Sequence, residues 1–300
     1  MPALSVDVEE WYHNCWVPEY NDPGPRPGLP DELDILLPRL VEELAVCRAR
    51  ATFFVLGELA DRIAGRLREL VTAGHEIACH GWHHTRANEL APDEFLRQIR
   101  DSKRRLEDLT GAPVHGFRAP EWSLRTATNP RLRLVAEAGF AYDSSLVASP
   151  LAGSSRNPER PTRLRWGNGA SLVEVPPLTW GGPLRLPAGG WCGRTAAPGW
   201  ILSAIRRAGR RGALPLLVVH PWELVDRPCP GLFTGFARFF HDCGRRGFVD
   251  RFRSLLAATT WAPIAEQIVV PRRVLDTAAV VAPSAADDGS LVWRAGAVAP

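Results

Sequence analysis

Apolar and polar positions along this chain change period in a regular way. Ala3–Val8 opens as a strand-like run. Residues 36–45 follow with helical spacing, Pro38 falling in the first turn, where the missing N–H of proline costs nothing. Residues 51–56 are a short apolar run of the fully buried strand type. Residues 58–72 predict a helix closed by Gly74, and residues 76–80 predict a third strand. Residues 92–109 carry a long amphipathic helix stopped by Thr110-Gly111, and a strand at 114–117 with a helix over 131–138 repeats the unit. From about 149 to 198 the rhythm fails. Pro, Gly and Trp crowd this stretch, which predicts a long loop-rich insertion around one short strand at 172–175. Regularity returns with a helix over 200–210 and the apolar strand 214–220. Residues 271–300, rich in Ala, Val, Ser and Asp without a period, predict a peripheral tail. Strand and helix in alternation imply a parallel sheet, either a barrel or an open doubly wound sheet, in one domain over residues 1–270.

Composition narrows the class. A 45% hydrophobic, 23% charged chain of 300 residues has material for a sizeable core, and its 26 Gly and 27 Pro stay below a low-complexity content. The net charge of +3, with no long basic block, argues against a dedicated nucleic-acid binder. No apolar run reaches the length of a membrane span. The chain starts inside its first strand with no leader pattern, so the expected location is cytoplasmic. Six scattered cysteines (Cys15, Cys47, Cys79, Cys192, Cys229, Cys243) without a CxxC pair are expected to be reduced and structural.

Candidate chemistry collects at the C-terminal ends of the predicted strands, where the following loops of a parallel α/β fold converge. Asp7 and Glu9 end the first strand and, two residues apart, share a face. His80 ends the third strand, Arg118 the fourth, and His220 the late apolar one. Zinc takes imidazole nitrogens and carboxylate oxygens, and an open site needs three protein ligands. His80 and His84 with one carboxylate from Asp7-Val8-Glu9-Glu10 supply such a set. His83 fits a solvent-facing or supporting role better than that of a ligand.

Five segments in order, Ser5-Val6-Asp7-Val8-Glu9-Glu10, Cys79-His80-Gly81-Trp82-His83-His84, Phe117-Arg118-Ala119-Pro120-Glu121-Trp122, Tyr142-Asp143-Ser144-Ser145-Leu146 and Val219-His220-Pro221-Trp222-Glu223, resemble the motifs of the polysaccharide deacetylase (NodB-homology, carbohydrate esterase four) family. With Pro187-Ala188-Gly189-Gly190, the wording is most similar to the branch found with exopolysaccharide and exosortase systems. The resemblance runs from about residue 3 to 265. It implies a distorted β/α barrel and metal-dependent removal of acetyl groups from N-acetylated sugars, with one divalent ion, zinc by its donor set. It further implies Asp7 as general base held by Arg118, His80 and His84 as ligands, His220 as general acid, and Asp143 as the carboxylate that orients His220. The usual first motif has two adjacent aspartates. Here the second acid is a glutamate one position further on, so Glu9, on the face of Asp7, is the expected third ligand, with Glu10 the alternative.

The chemistry is consistent with those types. A divalent ion polarises a poor electrophile, a carboxylate takes a proton from water, and a histidine protonates the departing nitrogen. Trp122 and Trp222, attached to motif residues, offer flat faces for sugar rings, whereas Trp11, Trp180 and Trp191 fit loop or core packing better. Cys79 points away from the ligand that follows it and is expected to be buried and inert. Arg206, Arg207, Arg210 and Arg211 predict a solvated helix face.

Overall fold

The computed structural model describes residues 1–13, 31–167, 169–180, 182–226 and 233–268, together with the backbone of strands at 279–285 and 291–295. The strands are β1 (Ala3–Val8), β2 (Thr52–Val55), β3 (Glu76–Cys79), β4 (Gly116–Phe117), β5 (Tyr142–Asp143), β6 (Thr162–Arg165), β7 (Ser171–Glu174), β8 (Thr179–Trp180), β9 (Leu186–Pro187), β10 (Leu216–Val219), β11 (Ala279–Ala285) and β12 (Leu291–Ala295). The helices are α1 (Leu33–Val46), α2 (Gly57–Ala60), α3 (Ala64–Thr72), α4 (Pro92–Thr110), α5 (Arg131–Glu137), α6 (Gly190–Thr195), α7 (Pro198–Arg210), α8 (Gly235–Asp242), α9 (Phe248–Ala257) and α10 (Ile264–Ile268).

Strand order in the main sheet is β10-β1-β2-β3-β4-β5-β7-β6-β11-β12, parallel from β10 through β7. The sheet curls into a half-barrel, which answers the choice between barrel and open sheet. Its mouth is bridged by the chain after β7: Leu178 N–H donates to Leu216 O (2.8 Å), and Ala188 N–H to Leu178 O (2.7 Å). Gly189 then pairs with Val218, where an added Cβ would come within 2.7 Å of the Val218 carbonyl. Only glycine lets this segment approach so closely.

Side-chain alternation decides what faces inward. Leu4, Val6 and Val8 of β1, with Phe53, Val55, Ile77 and Phe117, pack outward into the large core under the helices. Ala3, Phe54, Ala78, Tyr142, Val173 and Leu216 form a smaller cluster inside the curl, closed below by Ile264 and Ile268 of α10. Ser5, Asp7 and Arg118 occupy the inward positions above it. A polar interior is therefore built into the strand period.

The observed elements depart from the expected ones at several places. Helix α1 starts three residues early, so Pro38 sits in its second turn, and the carbonyl it leaves unbonded is that of the exposed Asp34. The helix expected over 58–72 is two, separated by a bend at 61–63 from which Arg62 reaches Glu10 and Asp31. The insertion holds β6, which pairs antiparallel with β7, and the small hairpin β8–β9, besides the one strand expected. Within the stretch read as a peripheral tail, β11 pairs parallel with β6 and β12 antiparallel with β11. Cys47, Cys79, Cys192 and Cys243 are free thiols, while Cys15 and Cys229 lie outside the described residues. No helix among the described residues is long and apolar enough to cross a membrane.

Candidate active site

Glu9, His80 and His84 converge just beyond the C-terminal ends of β1 and β3, each offering a donor atom within 4.8 Å of the others, and all three are buried. His80 is oriented from behind: its Nδ1 lies 2.8 Å from the Arg118 carbonyl, which makes that nitrogen the donor and turns Nε2 to Glu9 Oε2 (3.8 Å) and Asp7 Oδ2 (4.0 Å). His84 Nε2 is 2.9 Å from Glu9 Oε2, and His13 stacks on its ring at 5.9 Å. Burial raises the Glu9 carboxyl, but His84, His220 and His80 outweigh it and hold the group well below the ordinary carboxylate range. An ionised carboxylate and two inward imidazoles form the donor set of an open zinc-type site, so the residues fit the ion.

Glu10 is not part of this set. Its carboxylate turns away and accepts from the N–H groups of Glu32 (2.9 Å) and Leu33 (3.2 Å), capping α1, and pairs with Arg62. The choice between the two glutamates follows from strand alternation, which places Glu9 beside Asp7. His83 also stays outside, with Nδ1 3.0 Å from Glu58 Oε2.

Arg118 is fully buried and organises the other side. Its Nη1 donates to Asp7 Oδ1 (2.6 Å) and Ser5 Oγ (2.9 Å), its Nη2 donates to Ser144 Oγ (2.9 Å), and its plane lies 4.1 Å over Phe54. Asp7 Oδ2 is thereby aimed between His80 Nε2 and His220 Nε2, which is 3.9 Å away. His220 Nε2 also lies 3.7 Å from Glu9 Oε1.

One expected role moves. Asp143 does not face His220: its oxygens accept from Ser145 N–H (3.0 Å) and Ser145 Oγ (2.7 Å), and it adjoins Glu174 across the β5–β7 pair. Burial raises both carboxyls, and Asp143 pushes Glu174 well above the ordinary range. The carboxylate at His220 is Glu223. Its Oε2 accepts from the His220 backbone N–H (2.9 Å) and lies 3.3 Å from His220 Nδ1, while Arg194 binds Oε1. Glu223 is one helical turn after His220, and that spacing was the available signal. Nothing local to Arg194 foretold its part.

Trp122 and Trp191 line the cavity of about 400 Å³ above the cluster, with Trp222, Glu121 and Arg125. Glu121, Trp122 and Arg125 all hold left-handed backbone (φ 51°, 50° and 61°), a concentration of strain found at functional sites. Trp222 also packs against the cluster itself. Its ring stacks on His220 (5.2 Å) and His241 (4.4 Å), Arg194 lies 5.0 Å over it, and its Nε1 donates to Glu9 Oε1 (3.2 Å). It braces the ligand and the histidine. Cys79 is buried in the outer core, its thiol pushed up to about 11 by burial.

Residues 30–142 match the family model described as polysaccharide deacetylase. Over that span, 113 of its 300 residues, the chain is similar to the polysaccharide deacetylase family. Residues 144–269, which contain Glu223 and His220, match a model described as a domain of unknown function, DUF3473. His80, His84 and Arg118 thus lie in the deacetylase span, and Asp7 and Glu9 precede it. A peptidoglycan deacetylase of Helicobacter pylori is 29% identical over 114 residues, 38% of each chain. A chitooligosaccharide deacetylase of Sinorhizobium fredii is 32% identical over 120 residues, 38% of this chain and 53% of the relative. The matched stretches therefore span only about two fifths to half of these relatives. The crystal structure of a putative polysaccharide deacetylase from Mycobacterium smegmatis aligns over 91% of both chains with a TM-score of 0.60 at 23% identity, and shares the deacetylase fold.

Proposed function

We propose that this protein is a metal-dependent deacetylase that hydrolyses the acetamide of an N-acetylated sugar in a glycan or glycan precursor. The observation that carries the reading is the approach of Asp7 Oδ2 and His220 Nε2 to within 3.9 Å of each other beside the Glu9–His80–His84 cluster, in one cavity. Those three side chains would hold a divalent ion of zinc type, which would supply polarisation of the acetamide carbonyl and acidify the attacking water. Asp7 Oδ2 accepts a proton from the attacking water, while the hydrogen bond from Arg118 to Oδ1 keeps the carboxylate aimed. His220 Nε2 gives a proton to the sugar nitrogen as the C–N bond breaks, so water and amide become acetate and amine. Glu223 and Arg194 hold the ring of His220, and Trp222 packs against it.

Trp122 and Trp191 at the rim suit a sugar ring packed edge-on to the cluster. The motif wording favours the exopolysaccharide branch of the family as the setting. Purified protein is expected to release acetate from chitooligosaccharides or from another member of a panel of N-acetylated sugars and polymers. Chelation abolishes the release and zinc restores it. Failure to release acetate from any of them, with one ion bound, overturns the reading in favour of a carbohydrate-binding role for the same scaffold.

A further inference from the structure

A cavity larger than the one at the Glu9–His80–His84 cluster lies elsewhere among the described residues. It measures about 840 Å³ and lies between α7, the β8–β9 hairpin and the loop around 155–160. Four arginines line it: Arg160, Arg185, Arg207 and Arg211. Glu159, also in the lining, is taken by Arg185 at 2.9 Å, whose Nη1 further donates to Ser155 O at 3.0 Å. Arg160, Arg207 and Arg211 have no acidic partner among the described residues. Three uncompensated guanidiniums around one concavity focus a positive potential in a chain whose net charge is only +3. Their planar forks suit carboxylate and phosphate oxygens.

The cavity also has an aromatic side. Trp180 lines it, and the exposed Trp200 lies 5.9 Å from Trp180, ring to ring. Trp180 Nε1 is a buried donor without an acceptor, a group that an incoming oxygen would satisfy. Cations beside indole faces match a sugar that bears an acidic group, which needs both a flat apolar surface and a counter-charge.

Position relates this cavity to the catalytic one. Pro187 and Gly189 line the catalytic cavity, while Thr179, Trp180, Gly182 and Arg185 of the same hairpin region line the basic one. Ala152 faces the catalytic side and Ser155 and Asn157 the basic side of the neighbouring loop. Ser149 Oγ to Leu184 O (3.3 Å) and Arg185 to Ser155 O tie the two segments into one partition. The two cavities thus have this partition as a common wall.

We propose that the basic cavity is a second glycan-binding site, taking an anion-bearing part of the substrate while an acetamide elsewhere on the same molecule lies at the Glu9–His80–His84 cluster; this rests on the deacetylase reading. The shared ligand chemistry is an acidic oxygen group on a glycan, from uronate carboxylates along a polymer or from the diphosphate of a carrier-linked precursor.

Calorimetry at low salt with the full chain tests it, using oligogalacturonate for the carboxylate source, inorganic pyrophosphate for the diphosphate source and neutral chitooligosaccharide as control. One probe anion is expected to bind, more weakly as salt rises. Arg207→Ala with Arg211→Ala weakens it roughly tenfold or more. Arg206→Ala with Arg210→Ala removes the same charge from the same helix outside the cavity and leaves binding unchanged. Neutral chitooligosaccharide binding and turnover stay the same in both double variants. Oligogalacturonate binding assigns the polymer, and pyrophosphate binding alone assigns the precursor. Binding of neither anion, or equal loss in the two double variants, overturns the proposal. Neither probe carries an acetamide, so anion binding without acetate release from any substrate sinks the deacetylase reading alone. Acetate release without anion binding sinks this inference alone.

Discussion

Glu223→Gln separates the two carboxylates that compete for the role of partner to His220. Glu223 is 1% exposed, and although burial works against its charge, Arg194 and His220 hold its carboxyl down to about 2. Burial likewise works against the His220 imidazolium, but Glu223, then Glu9 and Asp7, outweigh it and push the ring up to about 9. An ion at Glu9 cancels part of that carboxylate's pull, which leaves Glu223 as the main group keeping the proton on. Glutamine preserves shape and the backbone acceptor but removes the charge, so His220 falls back toward its ordinary 6.5. At pH 8 a group titrating near 9 is about 90% protonated and one near 6.5 about 3%, so an acid-dependent rate drops roughly thirtyfold there and by less than about twofold at pH 6. The alkaline limb of kcat against pH moves down from about 9 toward 6.5. The variant also strands the buried Arg194, at a cost of about 3–5 kcal/mol, so kinetics are run well below its measured Tm and with metal content verified. Asp143→Asn is the companion, and it leaves the alkaline limb where it was. An unmoved limb in Glu223→Gln, or a moved one in Asp143→Asn, refutes the assignment.

His80→Ala and His84→Ala should lose the ion and activity, weakening metal binding beyond the roughly 10–100-fold that loss of an outer partner costs, whereas His83→Ala retains the ion by elemental analysis. Trp122→Ala should raise KM for acetylated oligosaccharides roughly 2–10-fold with kcat little changed, while Trp222→Ala lowers kcat, because Trp222 braces His220 and Glu9. His75 accepts the Ala51 N–H on Nδ1 (3.1 Å), and burial, with Arg50 adding to it, pulls it down to about 4. The folded pKa lies below the ordinary 6.5, so its stabilisation is complete above pH 6.5 and lost as pH falls toward 4, about 3 kcal/mol in all. In urea titrations from pH 7 to 4, His75→Asn should flatten this loss in part, His241, also held at about 4, keeping the remainder. An unchanged slope contradicts it.

Strand period made much of the centre legible. Leu4, Val6 and Val8 alternate with Ser5, Asp7 and Glu9, and that pattern alone separates the outer core from the catalytic face and selects Glu9 over Glu10. The parallel sheet followed from alternating strand and helix runs for the same reason. Long-range partnerships were not legible. Arg194 meets Glu223 across 29 residues, and Glu174 joins Asp143 only because β7 lies beside β5, a neighbour relation that no local period carries. The place of Trp222 in its motif says that it lies at the cavity but not that its ring stacks on His220 and His241. The hairpin β8–β9 is two residues a side, too short for alternation to register amid Pro and Gly.

The central claim is that Asp7 and His220 act as base and acid at one metal cluster. Acetate release by the zinc-loaded wild type, on the best substrate of the panel, set beside Asp7→Asn and His220→Ala with equal metal content, tests it most directly. Turnover by the wild type and a loss of roughly 100-fold or more in each variant is the predicted result. Wild-type rates in either variant, with the ion still bound, contradict it.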